Sequence, residues 1–166
     1  MTTYDWTDKV VLVTGSSSGI GEETAREFDR AGAIVVVNSG SSPERGREVA
    51  ESLRAGHYIQ SKVGTEDDAR ALIAATLATC GRLDVLVNNA GTTRHIPHYD
   101  VNAANLDVWR EIFDVNVFGT WAVTVAALDA LRETQGSIVN VSSIAGVRPT
   151  GSSIPYASSK AALNHM

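Results

Sequence analysis

The chain has 166 residues, which fits one domain able to bury roughly 70% of its unfolded surface without staples. With 19 acidic and 14 basic residues the net charge is −5 and no basic block occurs, which argues against nucleic acid or an anionic membrane surface as partner. The one cysteine, Cys80, excludes an internal disulfide and fits a reducing, cytoplasmic setting. The opening "MTTYDWTDKVV" lacks the pattern of a secretory leader, and no apolar run approaches the ~20 residues that span a bilayer.

Short β-branched runs alternate with longer helical patterns. "KVVLVTG" (9–15) reads as a buried strand, and 19–31 as a helix with Ile20, Ala25 and Phe28 on one face. "AIVVVNS" (33–39) is a second strand. Pro43 opens a helix to about Arg54, since proline suits a first turn. "HYIQSKV" (57–63) is a weaker strand, and 66–80 is a helix with acidic residues at its start. "LDVLVNNAG" (83–91) is a strand and its turn. After a loop over 92–104, Asn105 caps a helix to about Leu131, which Gly119 interrupts. "GSIVNVSS" (136–143) is a fifth strand, and a Gly/Ser-rich loop leads to a last helix near Pro155. This order predicts an α/β fold, a doubly wound, Rossmann-like parallel sheet between two helix layers. Such sheets bind ligands beyond the carboxyl ends of their strands.

The segments after the strands therefore carry the chemistry. "TGSSSGIG" (14–21) places Gly15, Gly19 and Gly21 where a strand turns into a helix. Glycine lets backbone approach a ligand, and the helix start offers N–H groups to a pyrophosphate. A flexible polar turn would have the same composition. After the second strand, Asn38-Ser39-Gly40-Ser41-Ser42 carries no acid to hold an adenosine ribose. A 2′-phosphate would meet no repulsion there, and Ser39 and Ser41 could receive it, with Arg45 and Arg47 nearby in sequence. NADP is thus favoured over NAD. "NNAG" (88–91) suits a packed turn beside a flat ligand or any tight turn. Ser142 and Ser143 follow the fifth strand. Tyr156 and Lys160 lie four apart on one helix face. A cation there would favour the ionised tyrosine, making it a candidate acid or base toward an alcohol or ketone oxygen, with Ser143 donating to the same oxygen. Alone, the pair reads as well as a packed tyrosine and a surface lysine.

Together, "TGSSSGIG", "NNAG", "NVSS" and "YASSK", in this order and spacing, resemble the short-chain dehydrogenase/reductases from Lys9 to the last residue. The likeness is to single-domain members such as 3-oxoacyl-carrier-protein reductases and sugar or polyol dehydrogenases. It implies hydride exchange between a nicotinamide and a ketone or secondary alcohol. It implies a catalytic group of Asn116 (in "DVNVFG"), Ser143, Tyr156 and Lys160. Tyr156 would exchange the proton, Ser143 would orient the oxygen, Lys160 would hold the nicotinamide ribose, and Asn116 would hold a water linking Lys160 to solvent. Gly15, Ser17, Ser18, Gly19, Ile20 and Gly21 would line the pyrophosphate. Val63 would meet adenine through its N–H, and Asn89, Ala90 and Gly91 would lie beside the adenosine ribose.

The chain departs from the pattern in two places, with Lys62 where an acid often precedes Val63, and Ser18 where NADP users often have a base. The resemblance also implies strands beyond Met166, so the sequence reads as a domain (1–166) lacking the last two strands of the fold and leaving the fifth as an apolar edge. A non-catalytic nucleotide-binding fragment and an extended-type epimerase or dehydratase are the alternatives. In the family the long helix and the final one pack across a subunit interface, so a homodimer or homotetramer is expected, with Trp121 on that surface. His95 and His98 lack the further ligands a metal would need, so no metal is expected, and their loop is placed near the substrate.

Overall fold

A computed structural model of the protein describes residues 5–166. Residues 1–4, part of the opening stretch and of the domain span given above, lie outside the described residues. Five strands form one parallel sheet: β1 (Val10–Val13), β2 (Ile34–Ser39), β3 (Gly56–Gln60), β4 (Val85–Asn88) and β5 (Ser137–Asn140). Their order is β3-β2-β1-β4-β5. Val11 pairs with Val35 on one side and Val85 on the other. Alternate residues of β1 face opposite layers. Val10 and Leu12 pack with Leu72, Ile73, Val123 and Ala127, whereas Val11 and Val13 pack with Ala25, Val49 and Ala50. Because helices cover both faces, β1 is apolar at every position rather than at every second one. The expected doubly wound α/β fold is what forms.

The helices are α1 (Gly19–Arg30), α2 (Pro43–Glu51), α3 (Glu66–Cys80), α4 (Leu106–Phe113), α5 (Thr120–Thr134) and α6 (Ile154–Leu163). Helix α2 stops short of the expected Arg54. The Asp29 carboxylate accepts from the N–H of Arg54 at 2.9 Å and of Ala55 at 3.4 Å, drawing the chain out of the helix. Strand β3 ends at Gln60 rather than 63, and Lys62 and Val63 lead away from the sheet. Strand β5 is also shorter than expected, ending at Asn140. Its Ile138 and Val139 are exposed on the outer edge of the sheet.

Gly119 does not break the long helix. The segment Asp114–Gly119 is a π-helical turn that joins α4 to α5. The continuous rod Leu106–Thr134 is 29 residues long, and by length and composition it is apolar enough to cross a membrane. Counting uninterrupted apolar runs misses it, because Asp114 and Asp129 punctuate the stretch. Here its apolar side is a packing face: Val123, Ala127, Ala130 and Leu131 are buried in the core that α3 shares with the sheet.

Candidate active site

The strand order reverses between β1 and β4, so a crevice opens beyond their carboxyl ends. Thr14 and Asn89 stitch its two walls together. Thr14 Oγ1 accepts from the N–H groups of Asn89 (3.1 Å) and Ala90 (3.0 Å), and Asn89 Nδ2 donates to the carbonyls of Thr14 (2.9 Å) and Gly15 (3.0 Å). The walls are close enough to demand glycine. At Gly15, with φ +63°, an added Cβ would lie 2.8 Å from Ala90 Cα; at Gly21 it would lie 2.3 Å from Asn89 Nδ2. Helix α1 starts here uncapped, since Ser18 makes no side-chain cap bond. A Cβ at Gly19 would meet nothing within 4 Å. The result is an open cradle bordered by the first N–H groups of a 12-residue helix, with Ser17 buried and Ser18 and Ile20 exposed at its rim.

Beyond β2 the two serines part company. Ser39 is buried; its hydroxyl donates to Ser42 O (3.0 Å) and meets Tyr58 Oη at 2.9 Å, so it faces inward. Ser41 is exposed. Arg45 is engaged by Glu22 (3.1 Å) and Glu48 (3.2 Å). The hydrogen bond from Arg26, helped by Arg45, holds the Glu22 carboxyl below the usual range against the opposing effect of burial. Val63 is buried, and its carbonyl would lie 1.6 Å from a Cβ on Gly119, so the π turn seats directly on the segment after β3.

Helix α6 brings the remaining groups to the crevice. Ser153 caps it, accepting from Tyr156 N at 3.4 Å. Lys160 is buried; Nζ donates to Val141 O at 2.8 Å and lies 6.0 Å from the centre of the Tyr156 ring. Burial pushes the Lys160 ammonium below the ordinary lysine value. A Cβ on Gly91 would stand 3.7 Å from Lys160 Nζ and 3.3 Å from Asn116 Oδ1, which puts the turn after β4 beside both. Ser143 Oγ accepts from Ala145 N at 3.1 Å, leaving its hydrogen available to another acceptor. Asn116 is fully buried. Its Oδ1 accepts from Thr92 N (2.7 Å), and its Nδ2 donates to Thr92 O (3.0 Å) and Ser159 Oγ (2.9 Å). The side chain thus clamps the loop after β4 to α6. Asn116, Tyr156 and Lys160 thus gather around Gly91 and Val141, and Ser143 follows two residues after Val141.

The reading of the sequence did not single out Thr14, Ser16, Asn38 or Ser159 as site residues. Ser16 Oγ donates to Val13 O (2.6 Å) and accepts from Asn38 N (3.0 Å), and Asn38 Nδ2 donates to Ile59 O and Ser61 O, so the pair binds three strand ends together. Ser159 Oγ donates to Tyr156 O at 2.7 Å. The available signal was polarity inside apolar strands and on the inner face of a helix. His95 is exposed. His98 borders a groove of about 360 Å³ with Ala145, Val147, Pro149 and Ala161, and its Nε2 is buried without a hydrogen-bond partner among the described residues.

Comparison with known proteins agrees with this architecture. The profile of the short chain dehydrogenase family matches residues 9–166. "Granaticin polyketide synthase putative ketoacyl reductase 2" of Streptomyces violaceoruber is 56% identical over 149 residues, covering 89% of this chain and 60% of that protein. The L-fucose dehydrogenase of Oryctolagus cuniculus is 37% identical over 155 residues, covering 93% of this chain and 54% of that one. A crystal structure of a "putative short-chain dehydrogenase/reductase" from Burkholderia xenovorans superposes with a TM-score of 0.91 at 38% identity, covering 95% of this chain and 68% of that chain. The chain belongs to the short-chain dehydrogenase family. It spans somewhat over half the length of the two curated relatives.

Proposed function

We propose that this chain carries the dinucleotide site and proton-transfer group of an enzyme that interconverts a ketone and a secondary alcohol, using NADP in preference to NAD. The observation that carries this reading is the buried Lys160 ammonium, 6.0 Å from the centre of the Tyr156 ring and held by the carbonyl of Val141, two residues before Ser143. A nicotinamide dinucleotide fits the residues present: Gly15 and Gly21 leave no room for a side chain, the start of α1 at Gly19 faces open space where a pyrophosphate could approach, and the segment after β2 carries no acid. Gly15, Ser17, Ser18, Gly19, Ile20 and Gly21 would hold the pyrophosphate. Ser41 and Val63 would border the adenosine, with Ser39 supporting the loop from beneath through Ser42 O. Asn89, Ala90, Gly91, Tyr156 and Lys160 would line the rest of the cofactor.

When bound, the nicotinamide supplies or accepts the hydride. In the reducing direction Tyr156 gives its phenolic proton to the carbonyl oxygen as that oxygen gains charge. Ser143 donates its free hydroxyl hydrogen to the same oxygen and fixes the orientation. The Lys160 ammonium, held by Val141 O, stabilises the negative charge that Tyr156 then carries. Asn116 locks the loop after β4 and α6 in register through Thr92 and Ser159. The name of the 56% identical relative points to a ketoacyl substrate, and that of the 37% identical one to a sugar, L-fucose. The exposed Phe118, Trp121 and Val125 on the long rod would be covered in a homodimer or homotetramer.

The test is steady-state turnover with a β-ketoacyl thioester plus NADPH, alongside a sugar with an oxidisable hydroxyl plus NADP. Thioester-dependent NADPH consumption that falls by about 10²-fold or more in Tyr156→Phe is the expected outcome. Turnover that survives Tyr156→Phe would remove Tyr156 from its role. Product formed without net cofactor turnover would indicate epimerase or dehydratase chemistry instead.

A further inference from the structure

The preference for NADP rests so far on a missing acid, and the structure assigns the missing base. We infer that Lys62 is the specificity-determining residue that recognises the 2′-phosphate of the dinucleotide; this rests on the dinucleotide reading above. Strand β3 runs beside β2 in register, with Ser39 opposite Gln60, and Ser61 N donates to Ser39 O at 3.2 Å. The chain then carries Lys62 across the end of β2. A Cβ on Gly40 would lie 3.2 Å from Lys62 Cγ and 3.3 Å from Lys62 Cα, so the lysine stem crosses the bare backbone of Gly40. Gly40 lies between Ser39 and the exposed Ser41, in the stretch where a carboxylate would hold the ribose of NAD.

Other cations near this corner are committed. Arg45 is held by Glu22 and Glu48, and Arg47 lies over the Tyr58 ring, 5.7 Å from its centre. Lys62 is exposed and takes part in none of the ion pairs among the described residues. A lysine on a flexible four-carbon stem is a mobile point charge suited to a phosphate rather than to a planar, bidentate partner. Gly40 keeps the stem low against the strand end, and Ser41 adds a hydroxyl beside it. The substitution of lysine for the acid that often precedes Val63 therefore reverses the charge at the adenosine end.

The test compares adenosine 2′,5′-bisphosphate with AMP, and NADPH with NADH, by fluorescence titration of the wild type, Lys62→Ala, Lys62→Glu and Lys62→Arg. Lys62→Ala is expected to weaken the bisphosphate and NADPH about tenfold, and to leave AMP and NADH within about twofold. Lys62→Glu should weaken them further, Lys62→Arg should restore binding, and the wild-type preference should fade with added salt. Equal loss for both members of each pair, or no loss, would overturn the assignment. If the wild type binds AMP and NADH yet gains nothing from a 2′-phosphate, the dinucleotide site stands and the role of Lys62 falls. If it binds none of the four, the dinucleotide reading falls, and the role of Lys62 with it.

Discussion

Lys160 is a charge in a place that disfavours charge. It is buried, one described acceptor (Val141 O) meets its ammonium, and desolvation lowers its pKa. The folded state binds the proton less tightly than the unfolded state, so stability rises as pH climbs from the lowered folded value to the ordinary lysine value. Lys160→Met keeps most of the stem and removes the charge. Thermal melts should show the variant at least as stable as wild type at neutral pH, with this alkaline gain gone. Turnover should be lost at the same time. A Met variant that melts well below wild type would show that the ammonium stabilises the fold. Tyr156 and Lys160 were legible from their four-residue spacing together with the other motifs. The roles of Ser159 and Asn38 were not, because a buried hydroxyl or amide reveals its partners only when distant segments come together.

The π turn at Asp114–Gly119 is the element on which the two halves of the site hinge. It presents Asn116 to Thr92 and α6, and it sets Gly119 against the Val63 carbonyl. In an ordinary exposed helix, Gly→Ala gains about 1 kcal/mol. Here the added methyl would lie 1.6 Å from a carbonyl oxygen, a clash with backbone rather than with a flexible side chain. Gly119→Ala should therefore cost about 3 kcal/mol in denaturant unfolding and weaken dinucleotide binding. Gly64→Ala, where the new Cβ meets nothing within 4 Å, is the matched control and should change stability little. A neutral Gly119→Ala would mean that the rod does not press on Val63. Sequence periodicity located this rod and flagged Gly119 but gave the glycine the wrong reason. The π turn spans only six residues, too short a stretch for its slip against the 3.6-residue period to stand out in the sequence. Strands were legible where both faces are covered, as in β1 and β2. They were overextended at β3 and β5, where hydrogen bonding stops before the run of β-formers does.

At the scale of the whole molecule, an exposed apolar face remains on the long rod. Trp109, Phe113 and Phe118 form a chain of ring contacts at 5.6 and 6.4 Å, and Phe118, Trp121 and Val125 are open to solvent. If this face joins two copies, Trp121→Glu should halve or quarter the particle mass in light scattering while leaving the far-ultraviolet circular dichroism unchanged. An unchanged mass would place the interface elsewhere. The crevice, by contrast, is built within one chain, since its glycine cradle, the turn after β4 and α6 are bonded to one another.

A crevice that holds a reduced nicotinamide dinucleotide, with Tyr156 placed to move a proton, separates binding from chemistry. The most direct measurement is a fluorescence titration with NADPH followed by one turnover with a ketone, on wild type and Tyr156→Phe. Both proteins should bind NADPH with similar affinity, and wild type alone should oxidise it rapidly. Failure of both proteins to bind NADPH or NADH, or equal single-turnover rates in the two, would contradict this reading.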